Sequence, residues 1–255
     1  MSKKLFMEDG LGFVEILELF GDDLTVVNAA RVSFHKESSY ENGKLSERDA
    51  GLIRYLAKHE HITPFFHPIV RMRIKMPIFV TREWWRSTIG FARNEVSRRY
   101  VMDTPDIFVP AKLRMRDQNL KQGSKSEAIS ENQEYVTQMR DYCKKAQEYY
   151  NHLLANDVCP EQARMILPQS MYTEFIETAS LAGYARLVNL RVHATAQREI
   201  QQYAWLVDTL LKDKFPVSWP ALIKSKAVKE HTDEHQTGHV DHVHGKKTQH
   251  DRTVL

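Results

Sequence analysis

Val70, Met72, Ile74 and Met76 alternate with Arg71, Arg73 and Lys75 between Pro68 and Pro77. A period of two puts the apolar side chains on one face and the cations on the other, the pattern of a half-buried strand. The chain then runs directly into a helical stretch around Ile78 to Ser87. Elsewhere the period changes to three and four. Ser46 and Asp49 form a capping-box pattern ahead of Leu52, Ile53, Leu56 and Ala57, the apolar stripe of a helix ending near Lys58. Tyr135, Met139, Tyr142, Ala146, Tyr149 and Leu153 predict a long amphipathic helix before Pro160. Ile200, Tyr203, Ala204, Val207, Leu210 and Leu211 predict another between Thr195 and Lys212. The aromatic residues of both stripes are expected in the core. Strand and long helices together give an α+β class, a mixed sheet packed with long helices.

At 255 residues the chain can bury a sizeable core, and one domain over residues 1–224 is expected. Arg114 to Ser130 is polar and reads as a surface excursion. Residues 225–255 form a polar, His-rich tail, expected to be disordered; His231, His235, His239, His242, His244 and His250 follow no fixed ligand spacing, so no metal site is expected. A net charge of +3 and a pI near 8.7 suit an anionic small molecule and do not require nucleic acid. No apolar run reaches membrane-spanning length, and Met1-Ser2-Lys3-Lys4 lacks the apolar core of a signal peptide. Cys143 and Cys159 are the only cysteines and form no C-x-x-C pair, so a cytoplasmic location is expected.

There is no P-loop and no Gly-x-Ser-x-Gly elbow. Gly10-Leu11-Gly12 begins like a dinucleotide fingerprint, but Glu15 stands at the third glycine position and no strand is expected before it, so the fold is expected to be non-Rossmann. The densest chemistry lies between Arg82 and Tyr100. Arg82, Arg86, Arg93, Arg98 and Arg99 are interleaved there with Glu95, Ser97, Trp84, Trp85 and Tyr100. Guanidinium forks clamp phosphate and aromatic faces stack on planar rings, which together describe a nucleotide pocket.

This stretch resembles the flavin-dependent thymidylate synthases. Arg86 opens the family's Arg-His-Arg triplet, eight residues separate Thr88 from Ser97, and Asn94-Glu95-Val96-Ser97-Arg98-Arg99-Tyr100 completes the motif. The second and third triplet positions are Ser87 and Thr88, where the family has His and Arg. Four further segments resemble the family in order. They are Asn28 to Phe34, His61-Ile62-Thr63-Pro64-Phe65-Phe66-His67, Ala163-Arg164-Met165-Ile166-Leu167-Pro168, and Asn189-Leu190-Arg191 followed by Ala196-Gln197-Arg198-Glu199-Ile200.

The resemblance implies thymidylate formation from deoxyuridylate (dUMP), with methylenetetrahydrofolate as carbon donor and FAD, reduced by NADPH, as hydride source. It also implies a homotetramer whose active sites are shared between subunits. Arg191 takes the catalytic position, set against the uracil ring to favour ionisation at N3. Glu83, Trp84, Arg86, Glu95, Ser97, Arg99 and Arg164 take nucleotide positions. Glu83 stands where the family has Gln, and an ionised carboxylate cannot donate there. His61, Thr63, Arg86, Ser87, Thr88 and Glu95 take flavin positions, and Arg186 is placed to offset the charge missing from the triplet. Two other functions fit the same residues: a dUMP hydroxymethylase with water completing the reaction, and a non-catalytic nucleotide or single-strand nucleic-acid binder.

Overall fold

The computed structural model describes residues 3–118 and 123–224. Its centre is a five-stranded sheet of β1 (Lys4–Phe6), β2 (Phe13–Phe20), β3 (Ile69–Pro77), β4 (Phe91–Glu95) and β7 (Tyr172–Ser180), in the order β1-β2-β3-β7-β4. Every pairing in it is antiparallel, so the sheet is not mixed as the sequence reading had it. The alternation around Val70 gives β3, with Val70, Met72, Ile74 and Met76 all fully buried. Burying one face while the cations keep the other in solvent fixes the register.

Helices cover the apolar face. α1 (Asp23–Arg31) is capped by Asp22, whose side chain accepts from Thr25 N at 3.0 Å. α2 (Glu47–Lys58) is capped by Ser46, whose Oγ accepts from Asp49 N at 3.2 Å and donates to the Asp49 carboxylate at 2.9 Å. Arg31 Nε donates to Asp49 at 3.0 Å and ties α1 to α2. α3 (Ile78–Trp84) follows β3 without a loop, and α6 (Leu181–Arg191) likewise follows β7, capped by Ser180, which accepts from Gly183 N at 3.1 Å. α7 (Arg198–Lys212) buries its whole apolar stripe, including Ile200, Tyr203, Val207, Leu210 and Leu211.

A second expectation is corrected. The long helix α4 (Asn132–Ala155) forms as expected, but its aromatic stripe is not core. Tyr142 is 73% exposed and Tyr149 54%, while Val136, Cys143 and Tyr150 on the neighbouring face are buried. The polar segment after Arg114 carries two strands that are largely exposed, in keeping with a surface excursion: β5 (Arg114–Arg116) pairs antiparallel with β6 (Ser124–Ala128). The remaining helices, α5 (Pro160–Ala163) and α8 (Ser218–Leu222), are short. No helix among the described residues is long and apolar enough to cross a membrane. The His-rich tail lies outside the described residues.

Candidate active site

The end of α3, the last turn of α6, the start of α7 and the β5–β6 hairpin border an open cavity of about 1260 Å³. Arg82 and Arg86 enter from α3 and the turn after it, Arg191 from α6 and Arg198 from α7. Lys112, Arg114 and Lys125 line it from the hairpin side; Glu8 and Glu83 are its acidic lining residues. The excess of cations makes it a trap for anionic ligands.

Arg191 is buried in the wall of this cavity. Its Nη1 donates to Glu83 Oε1 at 2.8 Å and its Nη2 to the Glu83 carbonyl oxygen at 2.6 Å. Nε is buried and has no hydrogen-bond partner among the described residues. Burial lowers the Arg191 pKa, Glu83 opposes that shift, and Arg86 adds to it. The ordinary arginine value is so high that the side chain stays charged at neutral pH. The site therefore holds a fixed cation in a set orientation. Glu199 is not a partner of Arg191; it accepts a two-pronged bond from Arg114 at 2.8 and 3.1 Å.

Glu83 is held in place from beneath. Its neighbour Trp84 is wholly buried, and the indole Nε1 donates to both carboxylate oxygens of Glu177 at 3.2 Å. The Trp84 side chain thus belongs to the core and does not line the cavity. Glu177 has no solvent exposure, and its cross-strand partner Arg93 donates to it through Nε at 2.5 Å. Burial pushes the Glu177 carboxyl up, while Arg93, Trp84 and Tyr184 pull it down. Sequence reading missed Glu177. Its one signal is phase, since it falls on the same side of β7 as Phe175 and Ala179, which are core.

The other expected site residues fall into separate groups. Glu95, at the end of β4, is exposed and accepts from Thr173 Oγ1 at 2.6 Å. Ser97 Oγ accepts from Arg99 N and Nε, both at 3.3 Å, and the Arg99 guanidinium lies 5.1 Å from the Tyr100 ring centre. Arg164 is exposed after α5 and donates to the Glu161 carbonyl at 3.3 Å. His61 and Thr63 are exposed beyond the end of α2, with His61 edge-on to Tyr55. Ser87 is buried and Thr88 exposed; Arg186 Nη2 donates at 3.0 Å to the carbonyl of Ile89, one residue past the triplet. Of the expected set, only Glu83, Arg86 and Arg191 line the cavity.

A sequence model described as "Thymidylate synthase complementing protein" matches residues 15–217. A flavin-dependent thymidylate synthase of Kosmotoga olearia is 38% identical over 83% of this chain and 90% of its own length. One of Thermus thermophilus is 35% identical over 82% of this chain and 75% of its own. A crystal structure of the UMP/dUMP methylase PolB from Streptomyces cacaoi, bound with 5-Br dUMP, superposes with a TM-score of 0.72. It is 29% identical and covers 83% of this chain and 97% of the other. The chain belongs to the flavin-dependent thymidylate synthase family.

Proposed function

We propose that the protein makes thymidylate by reductive methylation of dUMP, with methylenetetrahydrofolate as carbon donor and NADPH-reduced FAD as hydride source. The observation that carries this reading is Arg191, a buried cation held by Glu83 at 2.8 Å in a cavity rich in arginine and lysine. A fixed positive charge beside a uracil ring stabilises the N3 anion, because it favours the charged form of a neighbouring acid. Glu83 orients Arg191, so its role is positioning and the lost donor capacity at this position is not needed. Arg99, Ser97 and Arg164 hold the nucleotide phosphate, and Glu95 accepts from its ring or sugar.

The flavin-side residues suit a nucleotide cofactor by their chemistry. Arg86 has no carboxylate partner among the described residues and is free to meet a pyrophosphate. Thr63 and Thr88 present exposed side chains, His61 an exposed imidazole and Glu95 an exposed carboxylate. Arg186 already reaches the backbone beside Ser87 and Thr88, which supports its offsetting the missing triplet charge. Bound FAD would supply the hydride; the chain supplies binding, orientation and charge.

The groups are spread over the surface of one chain, and α4 leaves Tyr135, Met139, Tyr142 and Tyr149 exposed. Both features support a homotetramer in which several chains complete each site; the free thiols of Cys143 and Cys159 support a place in the cytoplasm. Relatives named as synthases and a structural neighbour named as a methylase favour methylation over hydroxymethylation and over simple binding.

The test incubates the protein with dUMP, methylenetetrahydrofolate, FAD and NADPH and weighs the product. Thymidylate that requires both FAD and NADPH is expected. A hydroxymethylated product formed without reductant would replace this reading with the sibling reaction.

A further inference from the structure

The cavity of about 1260 Å³ exceeds the roughly 300–1,000 Å³ that encloses a single drug-sized ligand. Arg191, Glu83 and Arg86 account for one wall only. Another part of the lining is the β5–β6 hairpin with the first turn of α7, and none of its residues belongs to the nucleotide or flavin set above. Arg114 organises this wall. It donates through Nε to Ser124 Oγ at 2.7 Å, closing the hairpin, and grips Glu199 with both terminal nitrogens, fastening the hairpin to α7. Asn132 fixes the hairpin's base, accepting from Leu113 N at 2.7 Å and donating to the Ala111 carbonyl at 3.2 Å.

Three cations sit within two residues of that hub: Lys112 before Arg114, Lys125 after Ser124, and Arg198 before Glu199. All three are exposed and line the cavity, and none pairs with a carboxylate among the described residues. Arg198 rests its guanidinium 5.6 Å from the Trp205 ring centre, which holds it without neutralising it. We propose that Lys112, Lys125 and Arg198 form a second anion-binding subsite, which takes the acidic tail of a co-substrate while the Arg191 wall takes the nucleotide. The ligand chemistry is a chain of carboxylates or a terminal phosphate, groups found on the γ-glutamyl tail of a folate and on the 2′-phosphate of NADPH. The inference rests on the function proposed above for the identity of those co-substrates.

The test measures equilibrium binding to the full chain loaded with dUMP and FAD, wild type against the double variant Lys112→Ser/Lys125→Ser. In one arm tetrahydrofolate carrying one glutamate is compared with tetrahydrofolate carrying four. In the other, NADPH is compared with NADH. Two exposed charge contacts are together worth about 2–20-fold in affinity. The wild type is expected to prefer the longer tail by about that factor, and the variant to lose the preference while its dUMP affinity stays unchanged. Loss of the NADPH preference instead would support the subsite with the phosphate as its ligand. Binding indifferent to tail length and to the 2′-phosphate, or no binding of either co-substrate, overturns the proposal. The readout is binding, so a protein that binds in this way yet makes no thymidylate would sink the proposed reaction and leave the subsite standing.

Discussion

Glu177 sits at a core position of β7 and is paid for by Arg93 and Trp84. Removing one member of a buried ion pair leaves the other unpaired and costs about 3–5 kcal/mol, whereas replacing both with apolar residues costs far less. Arg93→Ala is therefore expected to lower unfolding free energy by about that amount in urea titrations, and Arg93→Leu/Glu177→Leu to lie closer to wild type despite the acceptor lost to Trp84. Burial already pushes the Glu177 carboxyl up, and loss of Arg93 pushes it further. A raised acid binds its proton more tightly in the folded state, so the Arg93→Ala deficit should shrink as pH falls. A deficit that is flat with pH would mean Glu177 is not the group left unpaired. The triplet separates in the same way by burial. Thr88 is exposed, so Thr88→Arg should raise FAD occupancy on purification with little change in Tm. Ser87 is packed, and Ser87→His should lower Tm, since overpacking costs about 1–3 kcal/mol. Equal tolerance of both would contradict the packing around Ser87.

The elements that periodicity marked are present: β3, α2, α4 and α7 form near the residues whose spacing predicts them. What the pattern could not carry was the identity of the partner surface. The stripe from Tyr135 to Leu153 has the three-and-four spacing of any buried helix face, whether it is covered by its own chain or by another. Residue spacing also concealed the split of the Arg82–Tyr100 stretch, because α3 ends at Trp84 and β4 carries Glu95 to the far edge of the sheet. Tyr142→Glu/Tyr149→Glu is expected to reduce the assembly in sedimentation while the far-ultraviolet dichroism of the chain is retained; unchanged sedimentation would exclude this face from the interface. The α1–α2 tie gives a pH signature of its own. Burial raises the Asp49 carboxyl, but hydrogen bonds from Arg31, Ser46 and Ser38 more than reverse this and hold it below the usual carboxylate value. A depressed acid stabilises the fold above its unfolded pKa, about 3.9, and that contribution drains away as pH drops through the lower folded value. Asp49→Asn should therefore cost about 1.5–3 kcal/mol at pH 6 and progressively less below pH 4. An equal loss at pH 3 and pH 6 would show that the carboxylate charge is not what joins the helices.

At the scale of the whole molecule, the placing of the expected site residues argues for division of labour between chains. Arg191, Glu83 and Arg86 share one cavity, while Ser97, Arg99 and Arg164 lie outside its lining, with Arg99 and Arg164 exposed. A single chain thus offers the uracil-side cation in one place and the phosphate-side cations elsewhere. If one copy supplies Arg191 and a neighbour supplies Arg99 to each site, Arg191→Ala and Arg99→Ala are defects of different halves. At dUMP well below the wild-type KM each variant alone should be strongly impaired: Arg191→Ala because the uracil anion loses its cation, Arg99→Ala because a charged hydrogen bond to phosphate, about 1.5–3 kcal/mol or roughly 10–150-fold in affinity, is gone. Subunits of the two, mixed by reversible dissociation and reassembled at equal amounts, place both intact residues in roughly a quarter of sites by random pairing. Thymidylate formation should recover to about that fraction of the wild-type rate, and NADPH-driven reduction of bound flavin should change little in the Arg191→Ala homomer. A mixture with no more activity than the sum of its parts, after subunit exchange is verified by mass, would place Arg191 and Arg99 in sites built from one chain.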